Sequence, residues 1–195
     1  MKKMITGHAF AAIILTIALP MPVTTAQTSS YKPGFSPLNP APIGMQLETV
    51  IECGFGYRPH EKYNVKVTLL EAVRGDKAWQ RIKAVSSSNQ PPQRGFEYIL
   101  ARIKFEYSAR GAPGDCIHEL RPEEFTAFSG EGIEYENPLV VPPQPELNAK
   151  LRSGESFEGW LVFQTSAGED RELLRFMASV GRAVEQGGQI WFRLY

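Results

Sequence analysis

Residues 95–107 alternate between two kinds of side chain with a period of two. From residue 98 to residue 106, one face is polar apart from Leu100, and the other face is apolar throughout. This alternation is typical of a β-strand with one face against a core, and β-branched and aromatic residues suit a pleated surface. The inward face comprises Ile99, Ala101, Ile103, Phe105 and Tyr107, and the outward face comprises Tyr98, Arg102, Lys104 and Glu106. We predict that this stretch is the central strand of a sandwich.

Shorter alternating segments lie on both sides of it and complete the predicted architecture. Further strands are predicted over residues 45–53, 63–73, 125–128, 133–135, 156–165, 173–177 and 189–195. The strand over 156–165 is apolar on both faces at its centre, which predicts a cover on both sides. Seven to nine short strands with frequent turns indicate an all-β immunoglobulin-like sandwich, because connections of unequal length disfavour an up-and-down barrel.

Two segments between the strands have other signals. Trp79 and Ile82 are spaced three residues apart, which predicts a short helical turn over residues 77–85. Residues 137–145 contain four prolines and are predicted to be a crossing loop or an edge, because proline cannot donate to a central ladder.

The first 26 residues have the organisation of a secretory signal peptide. Lys2 and Lys3 precede an uncharged apolar run over residues 9–19, and small residues precede a cleavage point after Ala26. The apolar run is short for a bilayer span. We therefore expect a secreted or otherwise extracytoplasmic protein without stable membrane insertion after cleavage; an N-terminal anchor that stays attached is the alternative.

Residues 27–43 are rich in proline and serine and show no periodicity. This composition predicts a partly extended tether that holds the domain away from its surroundings, with packing along the domain edge as the alternative. The domain itself is expected over residues 44–195.

Cys53 and Cys116 are the only two cysteines of the chain. An even count in an oxidising compartment indicates a disulfide, and two buried free thiols are the alternative. The bond would close a loop of about 60 residues and stabilise the domain by roughly 4 kcal/mol in the chain-entropy model. No Cys-x-x-Cys pair is present, so the sequence does not indicate a thiol oxidoreductase.

The charge balance limits the class of partner. Lysine and arginine total 21, as do aspartate and glutamate; after loss of Lys2 and Lys3 the mature chain has 19 basic residues against 21 acidic ones. This near-neutral balance argues against nucleic acid as a partner.

Two histidines remain in the mature chain, and acidic residues lie near both in sequence. They are His60 and His118, with Glu61, Asp115 and Glu119. A disulfide would bring these segments within reach of each other, and histidine with carboxylate can hold a metal ion. The spacing matches no metal motif, and two exposed loop histidines are the alternative. We assign no metal site, no cofactor and no catalytic residue.

An acidic region and an Arg-Gly-Asp tripeptide have simple interpretations. The acidic residues are Glu123, Glu124, Glu131, Glu134 and Glu136, which do not follow the pattern of a calcium loop and are expected to form a solvated face. Residues 74–76 spell a cell-adhesion signal, but Gly-Asp after a strand is ordinary turn chemistry.

Aromatic residues could form a binding face. Trp79, Trp160 and Trp191 are expected at core or rim positions. Tyr98 and Tyr195 lie on polar faces and are the best candidates for exposed contacts. No nucleophile elbow, phosphate loop or dinucleotide fingerprint is present in the sequence.

The order of several segments resembles a known family. These segments are EAVRG at 71–75, GFEYILARI at 95–103, RPEEF at 121–125, GESFEGWLVF at 154–163 and WFRL at 191–194. They resemble a large bacterial family of exported immunoglobulin-like domains of unknown function, similar to the sandwich of the secreted mycobacterial antigen MPT-sixty-three. The resemblance covers residues 45–195. It implies an immunoglobulin-like fold outside the cytoplasm and transfers no active residue.

These features lead to one main functional hypothesis. We expect a secreted, non-enzymatic immunoglobulin-like module that binds an unknown protein or surface ligand. The alternative is a secreted inhibitor or carrier that acts through one loop end of the sandwich. A third hypothesis is a small metal-dependent extracytoplasmic enzyme.

Overall fold

The computed structural model describes residues 32–53, 61–111, 116–178 and 189–195. The described residues belong to one compact unit, Tyr31–Tyr195. Its strands are β1 (Gln46–Cys53), β2 (Glu61–Arg74), β3 (Phe96–Ala109), β4 (His118–Leu120), β5 (Phe125–Phe128), β6 (Ala149–Leu151), β7 (Ser156–Ser166), β8 (Leu173–Phe176) and β9 (Ile190–Arg193). The signal peptide predicted over residues 1–26 lies outside the described residues.

Helical structure is confined to two short elements of the described ranges. An α-helix, α1, covers Gly75–Val85, and a 3₁₀ turn covers Pro122–Glu124. No described helix is long and apolar enough to cross a bilayer. The protein is therefore mainly β-structure, as the alternation predicts.

Two antiparallel sheets form the body of the domain. The first has the strand order β1-β2-β3-β7 and the second has the order β5-β8-β9, while β4 and β6 form a separate pair. β3 lies between β2 and β7, and its Ile103 is opposite Leu69 of β2 and Gly159 of β7. The stretch predicted to be central is therefore an interior strand.

The main core lies between the inward faces of the two sheets. Every inward residue predicted for β3 is buried, which confirms the face assignment. Phe105 of β3 contacts Phe176 of the second sheet, with ring centres 5.6 Å apart, and Phe176 also contacts Phe125. Burial of one such side chain contributes about 1.5–3 kcal/mol. The two sheets are thus held together by aromatic packing as well as by aliphatic residues.

The other face of β3 is partly covered, which corrects one expectation. Ala78 and Ile82 of α1 form a second buried cluster with Tyr98 and Leu100. The Tyr98 hydroxyl donates a hydrogen bond to the carbonyl of Gln90 at 3.1 Å. Tyr98 was predicted to be an exposed contact, and this is wrong because α1 lies over it. Leu100, the apolar exception of the outward face, belongs to the same cluster.

β7 is covered on both sides, as its apolar centre predicts. Leu161 and Phe163 belong to the main core, whereas Trp160 and Val162 pack against the second cluster. Trp160 and Val162 remain half-buried, because β7 is the edge strand of the first sheet.

The described part of the predicted tether, residues 32–43, packs on the domain. Ala41 is buried, and its N–H donates to the Trp191 carbonyl at 2.8 Å. The Arg193 N–H donates in turn to the Ala41 carbonyl at 3.0 Å. The prediction of a tether standing off the domain is wrong here, because the edge of β9 needs hydrogen-bond partners and this segment supplies them.

Three local features differ from or complete the sequence prediction. Cys53 and Cys116 form a disulfide, with Cα atoms 6.3 Å apart, as expected. β4 and β6 have three residues each, too few for an alternation to be recognised. The hairpin partner predicted over 133–135 is not a strand; it contacts β5 through a single bridge between Phe128 and Glu134.

We predict that Ile103→Asp abolishes cooperative unfolding, because it would place a charge without a partner in the main core. Circular dichroism melts of the purified variant would measure this. Lys104→Asp, on the opposite face of the same strand, is the matched control and should cost no more than about 1 kcal/mol. An unchanged melting temperature for Ile103→Asp would contradict the core assignment.

Candidate functional site

His118 is part of the core and is not available to a ligand. It is fully buried, and its Nε2 atom is hydrogen-bonded at 3.1 Å to Oε2 of Glu124, which is also buried. The imidazole stacks on Phe105 with ring centres 5.0 Å apart. An exposed loop position is therefore wrong for His118, while His60 and Asp115 lie outside the described residues. In the described ranges no three histidine, cysteine or acidic side chains are placed to hold a metal ion.

The acidic region is divided between surface and interior. Glu123, Glu131, Glu134 and Glu136 are exposed, as expected for a solvated face. Glu124 is the exception, because it pairs with the buried histidine.

The Arg-Gly-Asp tripeptide is structural. The Arg74 guanidinium donates two hydrogen bonds to the Glu172 carboxylate, at 2.6 and 3.0 Å, and one to Glu97 at 2.5 Å. It also donates to the Glu169 carbonyl at 2.6 Å. Asp76 lies in the first turn of α1 and not in a loop. The tripeptide therefore joins β2 to β3 and to the residues before β8 and is not presented for adhesion.

Glu172 is the most deeply buried member of this ion-pair group. Its side chain is fully buried, and burial raises the pKa of its carboxyl above the ordinary value even though Arg74 acts in the opposite direction. The pairing with Arg74 is thus needed to keep a buried carboxylate in the folded domain.

Aromatic and arginine side chains cover the outer face of the second sheet. The guanidinium of Arg175 lies 4.8 Å from the ring centre of Phe128 and 5.9 Å from that of Trp191. The two rings contact each other at 5.4 Å. Trp191 is half-buried, in agreement with a rim position, and Tyr195 is exposed as predicted. Arg175, Phe128 and Trp191 thus contact one another.

A groove of about 240 Å³ opens beside β7 and is the best candidate for a functional site. It is lined by the 3₁₀ turn at Pro122 and Glu123, by residues 137–140 and Pro142, by Glu146 and by residues 160–163 of β7. Most of these side chains are apolar, and the charged ones are carboxylates. Such a lining is suited to binding more than to proton transfer or nucleophilic attack.

One end of the 137–147 segment is fixed to β7 by backbone hydrogen bonds. The Trp160 N–H donates to the Pro145 carbonyl at 2.8 Å, and the Leu147 N–H donates to the Trp160 carbonyl at 3.0 Å. Leu147 is fully buried. A Cβ atom on Gly159 would lie 2.7 Å from the backbone of Leu147, so this close approach requires glycine.

The middle of the same segment is held by Asn89. The Asn89 side-chain amide donates to the Val141 carbonyl at 3.0 Å and to the Ile82 carbonyl at 2.8 Å. Its oxygen accepts from the Val141 N–H at 2.8 Å. Asn89 is buried, so this two-way clamp ties the loop to the end of α1. No pattern in the sequence distinguishes Asn89 from the other polar residues of its loop.

The clamped loop presents apolar side chains to solvent. Val140 packs on the second cluster, which leaves Leu139 fully exposed and Val141 substantially exposed. Four prolines in residues 137–145 restrict the loop further. A rigid loop loses little conformational entropy when it binds, so its exposed apolar residues are well placed for contact.

Backbone N–H and C=O groups on the edge of β7 also face this groove. The Trp160 N–H and C=O point away from β3, because both bond to the 145–147 segment. Backbone direction repeats every second residue, so the N–H and C=O of Val162 point the same way. Among the described residues, no hydrogen-bond partner is found for these two groups of Val162.

The charged residues that line the groove are acidic. Glu123 and Glu146 both line it, and neither forms a salt bridge with a described residue. On the outer surface beside the groove, the guanidinium groups of Arg81 and Arg102 lie 5.5 and 6.0 Å from the Trp160 ring. Arg81 and Arg102 are paired with Glu71 and Glu158, at 3.3 and 2.8 Å, and form no salt bridge with the two groove carboxylates.

Removal of the Arg74 guanidinium should make stability depend on pH. In Arg74→Met the buried Glu172 carboxylate loses its partner, and the variant should be about 3–5 kcal/mol less stable at pH 7. In this variant the pKa of the Glu172 carboxyl rises further. Protonation of Glu172 then favours the folded state, so the stability of the variant recovers as the pH falls through that raised pKa. Urea unfolding at pH 7 and pH 5 would measure this.

Arg102→Met is the control for that experiment, because Arg102 and Glu158 form an exposed pair. It should cost at most about 1 kcal/mol at either pH. An Arg74→Met variant with the same pH dependence as the wild-type protein would contradict the role assigned to Glu172.

Gly159→Ala should displace the 145–147 segment from β7, because the new methyl group meets backbone atoms that cannot rotate away. We expect a loss of about 1–3 kcal/mol and faster hydrogen exchange of the Leu147 amide. Ser156→Ala, at an exposed position of the same strand, should leave both unchanged. Wild-type exchange at Leu147 in the Gly159→Ala variant would show that the contact is not required.

Comparisons with known proteins give similarity to solved structures alone. The chain matches no family model. No curated protein matches it. The ycdA protein of Bacillus subtilis subsp. subtilis str. 168, named as a candidate lipoprotein, aligns at 11% identity with a TM-score of 0.48, over 66% of this chain and 35% of its own. The yjhA protein of Bacillus subtilis aligns at 8% identity with a TM-score of 0.49, over 80% of this chain and 99% of its own. The chain thus spans about a third of the length of the first of these structures.

Proposed function

We propose that this protein is an extracytoplasmic, non-enzymatic binding module and that the groove beside β7 is its contact surface. The observation that carries the proposal is a fully exposed leucine, Leu139, on a loop held rigid beside a groove whose lining residues are mostly apolar. Large exposed apolar side chains on a fixed surface are characteristic of interaction sites.

Two features support the location outside the cytoplasm. The Cys53–Cys116 disulfide is typical of oxidising compartments. The N-terminal segment, residues 1–26, has the charge and hydropathy pattern of a secretory signal. The sequence resemblance to exported immunoglobulin-like domains is in agreement with both.

The chemistry of the groove supports binding as its role. Its lining is apolar apart from Asn137, Glu123 and Glu146, and His118 lies in the core, engaged with Glu124. A binding role needs shape, apolar contact and a few charges, and the groove supplies all three.

Burial of Leu139 against a partner would contribute enough free energy to dominate a weak binding site. Burial of a leucine side chain contributes about 1.5–3 kcal/mol, which corresponds to roughly a ten- to hundredfold change in affinity. The Asn89 clamp and the prolines reduce the entropy that binding would otherwise cost.

Selection from a phage-displayed library of random peptides would test the proposal. The target is the exported protein with its disulfide intact. Enriched peptides should bind Leu139→Asp at least about tenfold more weakly than the wild-type protein, because an anchor would be replaced by a charge. Binding would be measured by biolayer interferometry.

Leu38→Asp is the matched control for this selection. Leu38 is almost as exposed as Leu139 and does not line the groove, so its replacement should leave the affinities unchanged. A selection that yields no peptides sensitive to Leu139→Asp would overturn the proposed function.

A further inference from the structure

We infer that the groove takes an extended peptide segment that adds to the edge of β7 as a further strand and carries a basic side chain for the groove carboxylates. This inference rests on the proposed function and specifies the chemistry of the partner. Three observations from the described residues carry it: the backbone of Val162 at the edge of β7 has no partner there, the walls are mostly apolar, and two carboxylates form no salt bridge there.

The backbone of Val162 is the first observation. Its N–H and C=O point toward the groove, and among the described residues nothing bonds to them. Unpaired strand edges accept a further strand, and peptide-binding domains use this property widely. At Trp160, two residues earlier, the 145–147 segment already bonds to β7 in the same row. The edge is thus occupied at Trp160 and open at Val162.

The walls of the groove define what the side chains of an added strand meet. Side chains of neighbouring paired residues point to the same face of a sheet, so those on the Trp160 side would lie beside Trp160 and the clamped loop with Leu139. An apolar side chain is suited to this position. The side chains of the added strand on the face opposite Trp160 would lie toward the 3₁₀ turn at Glu123.

The two carboxylates set the charge of the occupant. Glu146 is paired with Trp160, so its side chain lies on the Trp160 side, whereas Glu123 belongs to the turn before the second sheet. Each side of the groove therefore offers one carboxylate, and neither is in a salt bridge with a described residue. A lysine or arginine in the peptide would complement either one, and such pairing contributes to specificity.

The same charges disfavour a second copy of this chain as the occupant. Pairing of β7 with β7 about a two-fold axis would place identical surfaces against each other. Glu123 and Glu146 would then face the same carboxylates of the other copy, and like charges at an interface are repulsive. A foreign basic segment has no such penalty.

Backbone methylation of a selected peptide tests the strand addition. Peptides that depend on Leu139 would be synthesised with a single N-methyl group at each position in turn. Affinity should fall about tenfold when the methyl group replaces the N–H that bonds to the Val162 carbonyl, and it should change little at the two neighbouring positions, because their N–H groups point away from β7. Val162→Pro, which removes the N–H on the groove side, should weaken binding to a similar extent.

Charge variants of the protein test the basic side chain. Glu123→Gln and Glu146→Gln should each weaken a lysine- or arginine-containing peptide by about two- to fivefold and reduce the salt dependence of binding. Glu131→Gln, an exposed glutamate outside the groove lining, is the matched control and should have no effect.

The outcomes separate this inference from the function on which it rests. Peptides that depend on Leu139 but tolerate methylation at every position, or that are acidic, would overturn the inference and leave the binding function intact. A dimer in sedimentation experiments that Val162→Pro dissociates would also overturn it in favour of a second copy. Absence of peptides that depend on Leu139 would overturn both.

Discussion

The pairing of β3 with strands on both of its edges is the constraint on which the structure depends. Because β2 and β7 satisfy its backbone groups on either side, β3 can be buried on both faces where apolar residues allow. Its inward face meets the second sheet, and Tyr98 and Leu100 on the other face are covered by α1. This arrangement makes β7 an edge strand and places that edge next to the loop of residues 137–147. The candidate site is a consequence of where the sheet ends.

Polar and charged groups inside the domain hold distant elements together, whereas Glu123 and Glu146 line the groove. The pairs Arg74–Glu172 and His118–Glu124 each join elements that are distant in sequence or lie against the core. Breaking such a pair leaves a buried charge or polar group unsatisfied, which costs more than the pair contributes when intact. These residues resemble functional motifs in the sequence, but their burial makes them structural.

Gly159 and Asn89 form the groove by fixing the irregular segment of residues 137–147 in place. Gly159 permits backbone contact between β7 and Leu147, and Asn89 supplies hydrogen bonds to a loop that has no regular partner. The segment between these two attachments is fixed without being buried. A fixed, exposed, apolar loop lies beside Val162, whose outward backbone groups have no partner among the described residues. Together they offer side-chain anchoring and backbone recognition, the two components of strand addition.

The alternation of side chains was sufficient to predict the long strands, the inward face of β3 and the two-sided cover of β7, because period-two burial is a local property of an extended chain. The disulfide followed from a count of two cysteines. The burial of Tyr98 and His118, the packing of residues 32–43 and the groove itself could not be predicted in the same way. Each depends on which distant element covers a surface, and a one-dimensional pattern does not contain that information. The sequence by itself determined the long strands and their faces; only the tertiary structure decided the short strands β4 and β6 and which polar and aromatic residues remain available to a partner.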